Sequence, residues 1–115
     1  MNAAEAALDR VTRVPGVRGA LLASSADGLV IAEQLMNGVD GRAAAALTGS
    51  LVARLARTTA GAGLGAPVFL HLRGEEGSIL AVPGGDGLVL VAVAGPEANV
   101  GLARLEMLDA AGRLG

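Results

Sequence analysis

The stretch VFLHLRGEEGSILAVPGGDGLVLVAVA, residues 68–94, decides how this chain folds. Its apolar runs predict three strands, at residues 68–73, 78–82 and 88–94, separated by Gly74-Glu75-Glu76-Gly77 and by Pro83-Gly84-Gly85-Asp86-Gly87. Both separators are rich in residues that permit a sharp reversal. Links this short leave no room for the crossover that a parallel pair needs, so the three strands must lie antiparallel to their neighbours.

Upstream of this triple, TAGAGLGAP (residues 59–67) is a glycine-rich connector, and GRAAAALTGSLVARLARTT before it reads as a long helix. Asp40 is its N-cap, because a carboxylate there satisfies amide hydrogens of the first turn. Earlier still, residues 18–24 and 29–33 predict a hairpin around Ser25-Ala26-Asp27-Gly28, where Asp bonds its own backbone and Gly accepts positive φ. Residues 3–14 form a first helix, with Ala4, Ala7, Leu8, Val11 and Val14 at helical spacing, ended by Pro15-Gly16. Downstream, EANVGLARLEMLDAAG forms the last helix, with Asn99 as its cap, Gly112 as its stop, and a broad apolar face of Val100, Leu102, Leu105, Met107 and Leu108.

The order is therefore α-β-β-α-β-β-β-α. The expected fold class is α/β (α+β): a five-stranded, mainly antiparallel sheet with helices on both sides, since each amphipathic helix must bury its apolar face. An open sheet has two edges, and an apolar edge invites strand addition. Val68 to Leu72 is the candidate edge for a second subunit. The middle helix carries one stripe of Leu47, Leu51 and Leu55, with Ala44 and Thr58 nearby, and a second of Ala45, Gly49 and Ala53, extended by Val52 and Ala56. One stripe faces the domain's own sheet, and the small-residue stripe is left free for the close approach of another helix. Gly in such a helix costs about 1 kcal/mol relative to Ala, which favours a close-packing role for Gly49. The spacing leaves open whether that contact is within or between subunits.

Composition removes most other functions. The 115 residues read as one domain, 1–115, and 52% hydrophobic against 17% charged residues places the chain outside the disordered class. Phe69 is the only aromatic residue, so stacking platforms and aromatic cages are excluded. The absence of cysteine excludes disulfides, thiol catalysis and thiolate metal sites, and a single His71 excludes a histidine-rich site in one subunit. All basic residues are Arg, so no Schiff-base or P-loop lysine exists. The net charge of -2 divides as +1 over residues 1–57 and -3 over the rest, which is no nucleic-acid footprint. The strongest apolar run, residues 88–94, is far too short to cross a bilayer, and no charged leader with a long apolar region opens the sequence. A cytoplasmic location without membrane insertion and without a cofactor is the expectation.

The residues that catch the eye have plain readings. Gly61, Gly63 and Gly65 follow a helix and precede a strand, the inverse of the dinucleotide fingerprint, which must follow a strand and open a helix. His71 alternates with Phe69 and Arg73, and no spacing nominates the orienting partner and nucleophile that a general base needs. A structural or interface role for it outweighs catalysis, with pH-sensitive dimerisation and partner contact as the functional alternatives. Glu75 and Glu76 read as a solvated turn or as an acidic contact for a basic partner. No set of groups supports an enzyme.

The order of elements, the hairpin VPGVRGALLASSADGLVIAE, the alanine-rich middle helix, the strand triple and the terminal stretch ANVGLARLEML together resemble the Roadblock/LC7 family. The similarity runs from about Ala6 to Gly112. Its most specific parts are Gly19 followed eight residues later by Asp27-Gly28, and the run from Asn99-Val100-Gly101-Leu102 to Arg104-Leu105. The resemblance implies a profilin-like sheet with the middle helix on one face and the terminal helices on the other. It also implies homodimers or heterodimers that pair their third strands and pack their middle helices side by side. Ala45, Gly49, Val52, Ala53, Ala56, Val68, Leu70 and Leu72 lie where such a dimer needs them. Members similar to this chain often accompany small Ras-like GTPases as regulators, and others are adaptors for dynein or for membrane-associated signalling complexes. The longer C-terminal tail of some GTPase-activating members is absent, so binding is implied more than activation. Arg54 and Arg57, read otherwise as the wet rim of the helix, become candidates to position a GTPase; His71, Glu75 and Glu76 are further candidate contacts, and Arg104 is expected to orient the last helix or an interdomain contact. The implied function is a non-catalytic dimeric regulator or scaffold for a small Ras-like GTPase, with an adaptor for a sensor kinase or motor complex as the alternative.

Overall fold

In the computed structural model, which describes residues 2–114, one chemistry starts all three helices. Asn2 Oδ1 accepts from the Glu5 amide at 2.8 Å, Asp40 Oδ1 from Ala43 at 3.0 Å, and Asn99 Oδ1 from Leu102 at 3.0 Å. Each side chain thereby satisfies an amide that the helix itself cannot. The elements are α1 (Ala3–Thr12), β1 (Val17–Ser24), β2 (Val30–Leu35), α2 (Gly41–Gly61), β3 (Leu70–Gly74), β4 (Gly77–Pro83), β5 (Leu88–Ala94) and α3 (Val100–Gly112). The sheet order is β2-β1-β5-β4-β3 and every adjacent pair is antiparallel. This is the three-layer α/β/α arrangement expected from the sequence.

Alternation along the central strands builds a core on each face. Ala20, Leu22, Leu80, Val82, Leu90 and Ala92 meet Leu8, Val11, Ala103, Met107 and Ala110 from α1 and α3. Their neighbours Leu21, Ala23, Ala81, Val89 and Val91 face the other way and meet Ala44, Ala45 and Val52 from α2. No helix among the described residues is long and apolar enough to cross a membrane.

Several boundaries move. The first helix stops at Thr12, β2 runs two residues further than expected, and β3 begins at Leu70 because the ladder with β4 starts at the Leu70–Ala81 pair. Phe69 leaves the edge to pack into the α1/α3 layer, where the Arg104 guanidinium lies 5.6 Å from its ring centroid, within cation–π range. Arg104 therefore ties α3 to the segment that enters β3. The broad apolar face expected of α3 is also corrected. Ala103, Met107 and Ala110 are buried, whereas Leu102 and Leu105 lie at the surface, Leu105 being 62% exposed. Small residues on the inner side let α3 settle close to the sheet and to α1.

An ionic strap reinforces that contact. Arg10 donates from Nε to Glu106 and from Nη1 to Asp109, and Asp109 also accepts from Arg113 at 3.1 Å. The two carboxylates hold the Arg10 guanidinium above its ordinary range, with the hydrogen bond to Glu106 contributing most.

Candidate protein-protein interface

The middle helix α2 sits on the sheet through its smallest residues. Gly41, Ala44, Ala45, Thr48, Gly49 and Val52 are its buried positions, and the Thr48 hydroxyl satisfies itself by donating to the Ala44 carbonyl at 2.7 Å. This corrects the expected orientation. Ala45, Gly49 and Val52 belong to the chain's own core and are not free for another helix. The cause is a close approach at the β1–β2 turn. Gly28, at φ +70°, donates its amide to the Ser24 carbonyl at 2.8 Å, and the Leu29 amide donates to Asp27 Oδ1 at 3.1 Å. A Cβ added at Gly49 would stand 3.3 Å from Gly28 Cα, so the two glycines let helix and turn touch backbone to backbone. Gly49 does have a close-packing role, and its contact lies within the chain. Ala53 is exposed and Ala56 half-buried, Ala53 lining the shallow flank beside that turn.

The leucine stripe consequently turns outward. Leu47 is 44% exposed and Leu51 and Leu55 are half-buried. Beside them the sheet is left partly uncovered. A groove of about 490 Å³ runs between Ala43, Ala44 and Leu47 of α2 and Ile79 and Val93 of the sheet. A second groove of about 440 Å³ shares Arg18, Ile79 and Val93 with the first and continues to Leu72 and Arg73 on β3.

That edge strand pairs with β4 alone, in unbroken register from Leu70–Ala81 to Gly74–Gly77. Leu70 is half-buried toward the α2 side, and Leu72, exposed, shares its face. Val68, expected within the strand, lies before it and is 70% exposed. His71 alternates to the opposite face, where its Nε2 shares a 2.9 Å hydrogen bond with Ser78 Oγ. Glu75 and Glu76 are exposed in the β3–β4 turn, and Arg54 and Arg57 are exposed on α2, away from β3 in sequence and on a different element. Among the described residues, ion pairs are confined to α1, α3 and their C-terminal caps Arg13 and Arg113, so none of these charged groups is in an ion pair. The other edge differs. β2 pairs Ala32 with Leu22 and Val30 with Ala23, leaving Ile31 as an extra residue in a bulge, 55% exposed.

His71 bonds a hydroxyl but no carboxylate that would orient it as a base. Among the described residues no three His, Cys, Asp or Glu side chains are grouped to hold a metal ion. The feature that sequence reading missed is the outward leucine stripe. Its signal was the Gly28–Gly49 pair, which only a tertiary contact connects.

The Roadblock/LC7 domain model matches residues 3–94 of this chain. An uncharacterized protein of Methanocaldococcus jannaschii, MJ0714, is 34% identical over 114 residues, covering 96% of this chain and 95% of that protein. The crystal structure of a Roadblock/LC7 domain from Streptomyces avermitilis superposes with a TM-score of 0.83 at 23% identity, over 94% of this chain and 91% of that one. The gliding protein MglB from Thermus thermophilus superposes with a TM-score of 0.85 at 22% identity, over 97% of this chain and 85% of that one.

Proposed function

Because the chain belongs to the Roadblock/LC7 domain family, we propose that it is a non-catalytic protein-binding scaffold that dimerises and engages a small Ras-like GTPase. The observation that carries the reading is the outward stripe of Leu47, Leu51 and Leu55 beside the uncovered strip of sheet formed by Leu70, Leu72, Ile79 and Val93. A second copy that adds its own β3 to the β3 edge and lays its own α2 beside this one covers both at once. The unbroken edge of β3 supports pairing there in preference to β2, where the bulge at Ile31 interrupts the row of ladder groups. The GTPase part rests on the family's association with such proteins. It places Arg54 and Arg57, exposed on α2, as candidate partner contacts.

Two measurements test the reading. Leu51→Arg places a charge on the stripe and is expected to raise the dimer Kd by at least about tenfold in sedimentation equilibrium, the value of losing roughly one buried leucine. An unchanged Kd removes α2 from the interface. A pull-down with the tagged protein from native lysate, supplied in parallel with GDP or a non-hydrolysable GTP analogue, is expected to recover a small GTPase preferentially with one nucleotide. Recovery of a different protein regardless of nucleotide moves the function to an adaptor role.

A further inference from the structure

We propose that Asn37 is a site of spontaneous deamidation, at which the chain gains a carboxylate on the rim of the groove between α2 and the sheet. Asn37-Gly38 lies in the link from β2 to α2. An asparagine amide is lost when the backbone nitrogen of the next residue attacks the side-chain carbonyl carbon. Glycine hinders that attack least, because it has no Cβ and leaves the backbone free to turn. Asparagine occurs three times in the chain, and only Asn37 precedes a glycine.

The structure separates the three further. Asn2 and Asn99 are helix caps, the Oδ1 of each held by the amide of Glu5 at 2.8 Å or of Leu102 at 3.0 Å. Asn99 is also followed by Val100, whose branched side chain crowds the attacking nitrogen. Asn37 is exposed, and among the described residues its side chain takes part in no hydrogen bond. With Gly38 it forms the middle of a turn closed by a 3.3 Å bond from the Val39 amide to the Met36 carbonyl. Gly38 has φ +88°, the geometry of a type II turn, whose closing bond does not engage the central amide. The nucleophilic nitrogen is therefore not held by its own turn, and a Cβ placed at Gly38 would meet no atom within 4 Å. Side chain and backbone both have room to swing into the attacking geometry.

The Gly38 nitrogen gives up its proton to solvent and bonds to Asn37 Cγ. The Cγ–Nδ2 bond breaks, ammonia leaves, and a five-membered succinimide closes. Water then opens the ring at either carbonyl, giving aspartate in a normal backbone or isoaspartate, whose backbone runs through the former side chain. Either product makes the net charge of -2 one unit more negative. The new carboxylate stands where Asn37 lines the groove with Arg18, Asp40, Leu47, Ile79 and Val93. Aged protein thus presents an anion where fresh protein presents a neutral amide.

Trypsin releases residues 19–42 as one peptide, in which Asn37 is the only asparagine. The folded full chain is held at 37 °C and pH 7.4 for several weeks, and the peptide is followed by liquid chromatography and mass spectrometry. The acid form is expected to accumulate as two products, one co-eluting with the same peptide from Asn37→Asp, while the peptides carrying Asn2 and Asn99 keep their amides. Fragment spectra separate a gain at residue 37 from one at Gln34, and Asp27-Gly28 and Asp40-Gly41 isomerise without changing mass. A parallel sample in guanidinium chloride gives the rate of the unfolded chain, and the folded rate is expected to lie within several-fold of it. Gly38→Ala, with folding checked by circular dichroism, is expected to slow the conversion several-fold. Asn37→Gln, which needs a six-membered ring, is expected to abolish it over the same period. A peptide that stays an amide in the folded chain but converts in denaturant overturns the proposal, because the turn then protects Asn37. Conversion of Asn99 at the same rate, or a Gly38→Ala rate equal to wild type, overturns it as well.

Discussion

Gly49→Leu separates a core position from an interface position more sharply than any other single change. The atoms nearest to a Cβ built at Gly49 are Gly28 Cα at 3.3 Å, Gly28 N at 3.5 Å and Ser24 O at 3.8 Å. All three are backbone atoms, which no change of rotamer moves aside. A lone methyl already presses on the turn, and leucine adds three further carbons to a buried site. Overpacking of that kind costs about 3 kcal/mol at the upper end of its usual range, while the helix gains about 1 kcal/mol on losing a glycine. The net loss of about 2 kcal/mol lowers the midpoint of thermal unfolding by about 8 °C for a chain of this size. Circular dichroism at a fixed protein concentration measures that shift, and sedimentation of the same sample at 20 °C measures association. The expected result is a lower midpoint with the dimer Kd unchanged. A variant that keeps its midpoint but loses its dimer refutes the placement of Gly49 inside the chain.

Two further outcomes follow from the α1/α3 layer. Met107→Ala empties a fully buried position and is expected to cost about 2–5 kcal/mol in urea unfolding, whereas Leu105→Ala, two residues away but exposed, changes stability by no more than about 0.5 kcal/mol; equal losses would mean that α3 is rotated from its described orientation. Arg10→Gln leaves Glu106 and Asp109 without their shared cation, so the midpoint is expected to fall at low salt and the difference from wild type to shrink as NaCl screens the carboxylates. A difference independent of salt would assign Arg10 a packing role instead of an ionic one.

Local chemistry made much of this fold legible in the sequence. The caps at Asp40 and Asn99, the Asp27-Gly28 reversal and the short links between the last three strands each depend on residues near one another in the chain. Orientation was harder to read where a helix is apolar on every side. In α2 the leucine stripe and the small-residue stripe are equally plausible inner faces by periodicity, and the decision falls to Gly28, which lies 21 residues before Gly49 and fits it only after folding. In α3 the large Leu102 and Leu105 outweigh Ala103 and Ala110 on any hydropathy scale, yet the alanines are inside because closeness to α1 is worth more than side-chain size. Leu70 and Leu72 were visible as an apolar edge, and the helix surface left exposed beside them in the chain is the leucine stripe, not the small-residue stripe.

The inequality of the two sheet edges bears on how far assembly can grow. A join of β3 to β3 is self-complementary: each copy offers the same strand to the other, and one union uses up both regular edges. What then faces outward at either end of the ten-stranded sheet is β2, with Ile31 displaced in its bulge. A third copy meets there a ladder whose regular part is only residues 32–35, ending at the bulge. In the proposed dimer that extra residue shortens the edge on which an open-ended fibre could grow.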